Sequence, residues 1–243
     1  MTPLVLVHGF MGGSGQWAPQ MRALAQHQDI IAVDLPGFGN SADQPPIAAI
    51  REFADWVIGD LTRRGVGRYH LLGHSMGGMI AQEIARLDSE RIERLVLYAT
   101  GAVGVLPGRF ETIETSKQRA VSDGARATAR RIAATWFLDR EDAPAFEGCA
   151  AIAEQAGLPA ITAGLDAMQA WSGEGSLAQI SAETLVMWGD GDRTYPWQQI
   201  QLLWQNIPKA GLAVIPGCAH AVHLEKPDMF NALLHDFIGP RDR

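Results

Sequence analysis

The 243-residue chain holds only two cysteines, Cys149 and Cys218, far apart in sequence. That count excludes a disulfide framework, and no C-x-x-C or Cys/His cluster has metal-site spacing. Two reduced, partly buried thiols are the expected state, and neither a metal nor an organic cofactor is expected. Long apolar runs are equally absent, since nothing approaches the roughly 20 residues needed to span a bilayer. The opening stretch Met1-Thr2-Pro3-Leu4-Val5-Leu6-Val7-His8 has too short an apolar run, and lacks the basic flank, for a signal peptide. A cytoplasmic chain with no membrane partner is therefore expected. Cationic excess is missing too: 20 Lys and Arg face 27 Asp and Glu, for a net charge of −7. With no Lys/Arg stripe, a nucleic-acid footprint is not expected. Internal repeats and low-complexity tracts are also lacking.

What is present is apolar substance. Hydrophobic residues make up 47% of the chain and charged residues 19%, which supports a large core and argues against disorder. The length suits one α/β domain with a modest insertion, or two small domains. Short runs rich in Val, Ile and Leu occur at Leu4–Val7, Asp29–Asp34, Tyr69–Leu72, Arg94–Tyr98, Thr184–Trp188 and Leu212–Ile215. They do not alternate polar and apolar, as expected of strands buried on both faces. Helical patterns lie between them, at Ser14–His27, Ile47–Arg64, Met76–Leu87, Trp197–Asn206 and Pro227–Ile238. Helices between such strands imply βαβ crossovers and a parallel sheet covered on both sides. From 105 to 175 the rhythm breaks into helical pieces such as Phe110–Val121 and Ala125–Phe137. Gly101, Gly104, Pro107 and Gly108 punctuate its entry, Gly173 and Gly175 its exit. This stretch is expected to form a helical cap inserted into a core of residues 1–104 and 176–243.

The strongest chemical signal is Gly73-His74-Ser75-Met76-Gly77-Gly78. It follows an apolar run and opens a helical one, so G-x-S-x-G stands in the strand–turn–helix setting a nucleophilic serine requires. A glycine-rich helix start with a capping serine is the alternative, but no Lys follows as in a P-loop, and the spacing is not G-x-G-x-x-G. A serine hydroxyl needs a base. Of seven histidines, His27, His70 and His235 fall in or near elements remote from the serine. His74 is expected to point away along the turn, and His8 precedes Gly9 at the end of the first strand run. His220 and His223 remain, both in a loop after a late strand, where doubly wound sheets present catalytic groups. Residue reasoning prefers His220 only weakly. For the acid that orients the base, Asp190, Asp192 and Asp34 all follow strand runs. The order Ser75, Asp192, His220 matches nucleophile, acid and base on such a scaffold.

Taken together, His8-Gly9-Phe10, Asp34 to Gly39, Gly73 to Gly78, Gly189-x-x-Asp192 and His220 with Leu224-Glu225-x-Pro227 resemble the α/β-hydrolase family. The likeness spans roughly residues 3–104 and 176–238. It implies Ser75 as nucleophile, Asp192 as acid and His220 as base, with the backbone N–H groups of Phe10 and Met76 as oxyanion hole. The family usually begins with two antiparallel strands that this chain lacks, so a sheet of about six strands is expected. Ser75, where dehalogenases and epoxide hydrolases of the family carry Asp, favours attack on an acyl carbon. The chain looks most like small bacterial carboxylesterases and enol-lactonases, which implies a small-molecule ester or lactone substrate and a monomer or homodimer. Carbon–carbon hydrolysis of a vinylogous diketone is the alternative chemistry, and a non-catalytic binding protein on the same scaffold the alternative class. Trp136 and Trp171 are candidate substrate contacts in the cap, with Phe137, Phe146 and Met168 as further apolar wall. Arg109, Arg126, Arg130 and Arg131 are candidates to hold a substrate carboxylate.

Overall fold

The computed structural model describes residues 2–106 and 111–239. Six strands, β1 (Leu4–Val7), β2 (Ile30–Val33), β3 (Tyr69–His74), β4 (Ile92–Tyr98), β5 (Glu183–Gly189) and β6 (Ala210–Ile215), form one sheet. Their order is β2-β1-β3-β4-β5-β6 and every pairing is parallel. Residues Leu4 and Leu6 of β1 face one apolar cluster, with Trp17 and Phe230. Val5 and Val7 face the other, with Phe53, Val57 and Ile80. That period-two split is why the central strands read as continuous apolar runs: both faces are covered. Each such side chain removed from water contributes about 1.5–3 kcal/mol.

Parallel neighbours need crossover helices, and α1 (Ala18–Leu24), α2 (Ile50–Arg63) and α3 (Met76–Leu87) supply the first three. Between β4 and β5 lie α4 (Ile113–Asp123), α5 (Ala125–Ala134), α6 (Phe146–Ala153) and α7 (Leu158–Gln169). The expected cap, 105–175, brackets these four helices. Its neck is closed by an antiparallel bridge from Val103 to Ser172. Two further backbone bonds flank it, Gly104 N–H to Trp171 O at 3.1 Å and Gly173 N–H to Ala102 O at 2.8 Å. The chain ends in α8 (Trp197–Asn206), a short α9 (Val222–Glu225) and α10 (Pro227–Ile238). Among the described residues no helix is long and apolar enough to cross a membrane.

Several elements differ from the sequence expectation. The run Leu212–Ile215 is not buried on both faces: β6 is an edge strand, and Val214 is 45% exposed. At the opposite edge, three of the four β2 residues are half-buried. The helix expected over Ser14–His27 is a 3₁₀ turn at Ser14–Trp17 followed by α1. Pro19 stands in the first turn of α1, where its missing N–H is tolerated and deeper placement is not. Helix α4 starts at Ile113, capped by the Thr112 hydroxyl, which accepts the Thr115 N–H at 3.1 Å. The expected start at Phe110, like Pro107, Gly108 and Arg109, lies outside the described residues.

The strand order reverses beside β1, which sends β2 to one side and β3 to the other. Loops leaving β1 and β3 therefore diverge and leave a crevice at the carboxyl ends of the strands, where ligands of such sheets sit.

Candidate active site

Ser75 follows β3 directly and holds φ 56°, ψ −120°, a conformation costing a non-glycine residue about 1–3 kcal/mol. The surroundings impose it. The Ser75 N–H donates to Tyr98 O at 3.0 Å, and the Thr100 hydroxyl donates to Ser75 O at 2.7 Å. Backbone packs on both sides: a Cβ at Gly73 would lie 2.2 Å from Gly77 O, and one at Gly77 only 2.3 Å from Val7 O. Neither position tolerates a side chain. Ser75 thus projects from the turn, and Met76 opens α3, where its N–H has no intrahelical acceptor.

His220 lies in the loop after β6 and is 1% exposed. Its Nδ1 lies 2.9 Å from Asp192 Oδ2, whose side chain is buried to 0% exposure. The other carboxylate oxygen of Asp192 accepts the N–H of Thr194 at 2.7 Å and of Tyr195 at 3.2 Å. A carboxylate so fixed makes Nδ1 of His220 the protonated nitrogen and leaves Nε2 to accept a proton. Asp190 does something else: it accepts the Gly217 N–H at 2.7 Å and ties the two loops together. Asp34 holds the Ser14 amide and hydroxyl, both at 2.7 Å, and the Asn40 amide at 2.9 Å. Burial opposes charge on Asp34, but those hydrogen bonds hold its carboxyl below the usual range.

The main chain of His220 is anchored as firmly as its ring. Its carbonyl accepts from the Tyr98 hydroxyl at 2.8 Å and from His74 Nε2 at 3.2 Å. The His74 and Tyr98 rings stack at 4.6 Å. Sequence reasoning expected His74 to point away along the turn; instead its ring centroid lies 4.6 Å from that of His220. His223 donates to the Tyr98 oxygen from its backbone N–H at 3.2 Å and from Nδ1 at 3.0 Å. Burial, and next the nearby His220, depress both neighbours: His223 to about 3 and His74 well below the usual imidazole range. Both are neutral. Tyr195 also stacks on the His220 ring, at 5.7 Å and 15°.

The loop after β1 carries His8, Gly9 and Phe10. His8 Nε2 accepts the Leu35 N–H at 3.0 Å while Nδ1 donates to Gly9 O at 2.8 Å. Burial keeps it neutral, so it clamps the β1 and β2 loops as an uncharged strut. A Cβ at Gly9 would meet the Ser75 Cβ at 2.8 Å. Phe10, next in the chain, is therefore brought up beside the serine.

These pieces surround one cavity of about 40 Å³, whose lining includes Gly9, Phe10, Ser75, His220, Gln16 and Trp136. No Ser75–His220 hydrogen bond forms among the described residues, a contact that often tightens only with substrate. The helical insertion supplies Leu106, Ile132, Thr135, Trp136 and Met168 to the wall. It is fastened to both loops: Ala221 N–H donates to Trp136 O at 2.9 Å, and Arg193 Nη1 to Phe137 O at 3.1 Å. Glu225 bridges Leu138 N–H at 2.8 Å and Ala219 N–H at 2.6 Å.

Other expected contacts lie elsewhere. Trp171 stands at the neck of the insertion, where its indole N–H donates to Glu83 at 3.1 Å. Phe137 and Phe146 are buried in the core cluster. None of the three arginines among the described residues lines the cavity: Arg126 pairs with Glu154, Arg130 with Glu147 and Glu154, and Arg131 with Glu111. Arg109 lies outside the described residues. Conversely, Gln16, Thr135, Thr194 and Tyr195 line the cavity without having been singled out from sequence. Only the placement of Thr194 and Tyr195 just after Asp192 carried a hint.

The model of the Alpha/beta hydrolase family matches residues 4–233, and the chain belongs to that family. It is 30% identical to a protein named "putative carbamate hydrolase RutD" from Pseudomonas savastanoi pv. phaseolicola, over 97% of this chain and 93% of that one. It is 28% identical to the pimeloyl-[acyl-carrier protein] methyl ester esterase of Yersinia enterocolitica, over 96% and 92%. The enol-lactonase from Burkholderia xenovorans shares its fold, with a TM-score of 0.89, 23% identity and coverage of 99% and 92%.

Proposed function

We propose that this hydrolase cleaves a small carboxylic ester or lactone through an acyl-enzyme on Ser75. The observation that carries the reading is a serine held on a strained turn in one cavity with His220, whose Nδ1 bonds the buried Asp192. In this mechanism Ser75 Oγ attacks the carbonyl carbon as His220 Nε2 takes its proton. Asp192 stabilises the imidazolium. The N–H groups of Phe10 and Met76 hold the oxyanion, and each such donor is worth about 10²–10³ in rate. Collapse of the intermediate breaks the bond to the leaving oxygen, which leaves with the proton from His220. Water, deprotonated by the same His220, then releases the acid and restores Ser75.

The esterase relative supports the choice of bond by its name. A carbamate, suggested by the name of another relative, would pass through the same steps, since it also offers an acyl carbon and a heteroatom leaving group.

A p-nitrophenyl ester series from acetate to octanoate, with wild type and Ser75→Ala side by side, tests the reading. Turnover is expected to be greatest at the short end, because the cavity is small, and to be lost in Ser75→Ala. Equal turnover by the variant, or none by wild type, would overturn the ester assignment.

A further inference from the structure

Gln16 is buried, at 5% exposure. It lies in the 3₁₀ turn that follows the β1 loop and lines the same cavity as Ser75 and His220. The side-chain partner it does have is the thiol of Cys149, from α6 of the insertion. Burial pushes that thiol up to about 12, so it stays protonated and is a poor hydrogen-bonding partner. A substrate oxygen or nitrogen is a stronger partner for a buried amide than a neutral thiol. The local sequence makes room for the Gln16 amide. A Cβ at Gly12 would lie 2.6 Å from Gln16 Oε1, so the glycine lets the amide pack against the loop that carries Phe10.

The rest of the wall narrows what the amide meets. Phe10, Leu106, Ile132, Trp136 and Met168 are apolar. The Thr135 hydroxyl is committed to Ile132 O at 2.7 Å. Neither Lys nor Arg lines the cavity among the described residues, so a substrate carboxylate there would have no counter-charge. At about 40 Å³, the space corresponds to roughly three water-sized probes, and any group in it lies close to the serine.

We infer that Gln16 is a specificity-determining residue whose amide takes a neutral hydrogen-bonding group carried by the acyl part of the substrate, beside the scissile carbonyl. The inference rests on Ser75 acyl transfer as proposed above. The substrate class is a small uncharged acyl compound bearing a hydroxyl, ether or amide nitrogen near the reacting carbon. A purely alkyl acyl group leaves the amide with the Cys149 thiol alone, and a charged one is left without a partner. Discrimination through a buried polar group left unpaired is much stronger than through a missing methylene.

The test compares ethyl hydroxyacetate, its near-isostere ethyl propionate and monoethyl malonate, followed by pH-stat, in wild type and Gln16→Leu. Because hydroxyacetate is intrinsically the more reactive ester, the readout is the change in the kcat/KM ratio between proteins. Gln16→Leu is expected to lower the hydroxyacetate-to-propionate ratio about 10–100-fold, with monoethyl malonate the poorest substrate of wild type. An unchanged ratio, with both substrates slowed alike, would make Gln16 a packing residue and overturn the inference. Should Gln16→Leu fail to fold, wild type alone decides: the ratio divided by that of hydroxide-catalysed hydrolysis must exceed one, and a value of one or less refutes the proposal. Labelling of Ser75 by a fluorophosphonate separates the two levels. Labelled enzyme without discrimination defeats only the role of Gln16, whereas unlabelled enzyme defeats the acyl-enzyme reading on which it depends.

Discussion

His220 is fixed from two directions, by Asp192 on its ring and by Tyr98 and His74 on its carbonyl. The two aspartates of the loop after β5 separate cleanly on this geometry. Asp192→Asn is expected to lower kcat by about 10³–10⁴, since an amide no longer enforces the tautomer that leaves Nε2 free. Asp190→Asn keeps an acceptor oxygen for the Gly217 N–H and is expected to retain most activity. Steady-state kinetics on both variants check this, and the reverse order would show that the wrong carboxylate had been assigned. Tyr98→Phe keeps the stacked ring but removes the acceptor of both the His223 N–H and Nδ1. A loss of about 1–3 kcal/mol in urea unfolding follows. A kcat fall of roughly tenfold with little change in KM is expected as His220 loosens. The proposed nucleophile was legible because G-x-S-x-G after an apolar run is a local pattern. The roles of Tyr98 and His74 were not legible, because they arise between residues more than a hundred positions apart.

The turn from β3 to α3 is a close-packed element in which small residues are required. Gly77→Ala would press a methyl group onto Val7 O, a backbone atom that cannot swing aside. Destabilisation of at least 1–3 kcal/mol is expected, as for overpacking elsewhere, read from thermal unfolding; a variant as stable as wild type would contradict the geometry. The central strands and α3 were readable because apolar periodicity and Gly punctuation are strong there. Helices α6 and α7 were harder to delimit: FEGCAAIA and LPAITAGLDAMQ are apolar or small nearly all round, so little polar contrast marks a face. Edge exposure of β6 was likewise invisible, because Leu212 to Ile215 is as apolar as a central strand.

For the molecule as a whole, three buried histidines set an acid limit on stability. His223 is held to about 3, chiefly by burial, and His8 and His74 are shifted in the same direction. An unfolded histidine titrates near 6.5, so between these values the unfolded chain binds more protons. Their stabilisation is complete above the unfolded value and is lost as pH falls towards the folded one. Each contributes up to about 1.4 kcal/mol per pH unit across that window. The urea midpoint is therefore expected to drop between about pH 7 and pH 5, and the drop is expected to be shallower in His223→Gln. An equal slope in the two proteins would mean that His223 is not neutral in the fold. At this scale the sheet and the order of its motifs were legible, whereas the lining of the cavity was not. The insertion contributes much of that lining through side chains whose direction depends on how α5 and α7 lie against the core. The same packing placed Trp136 on the cavity wall and Trp171 at the neck, a distinction that composition does not carry.

The central claim is that Ser75 is a nucleophile activated by His220 and Asp192. Mass spectrometry of the intact protein after exposure to a fluorophosphonate, with the adduct mapped by peptide, tests it most directly. One adduct is expected, on the peptide containing Ser75, absent in Ser75→Ala, strongly slowed in Asp192→Asn and little changed in Asp190→Asn. A folded protein that takes up no label, or takes it up equally after Ser75→Ala, would contradict the account.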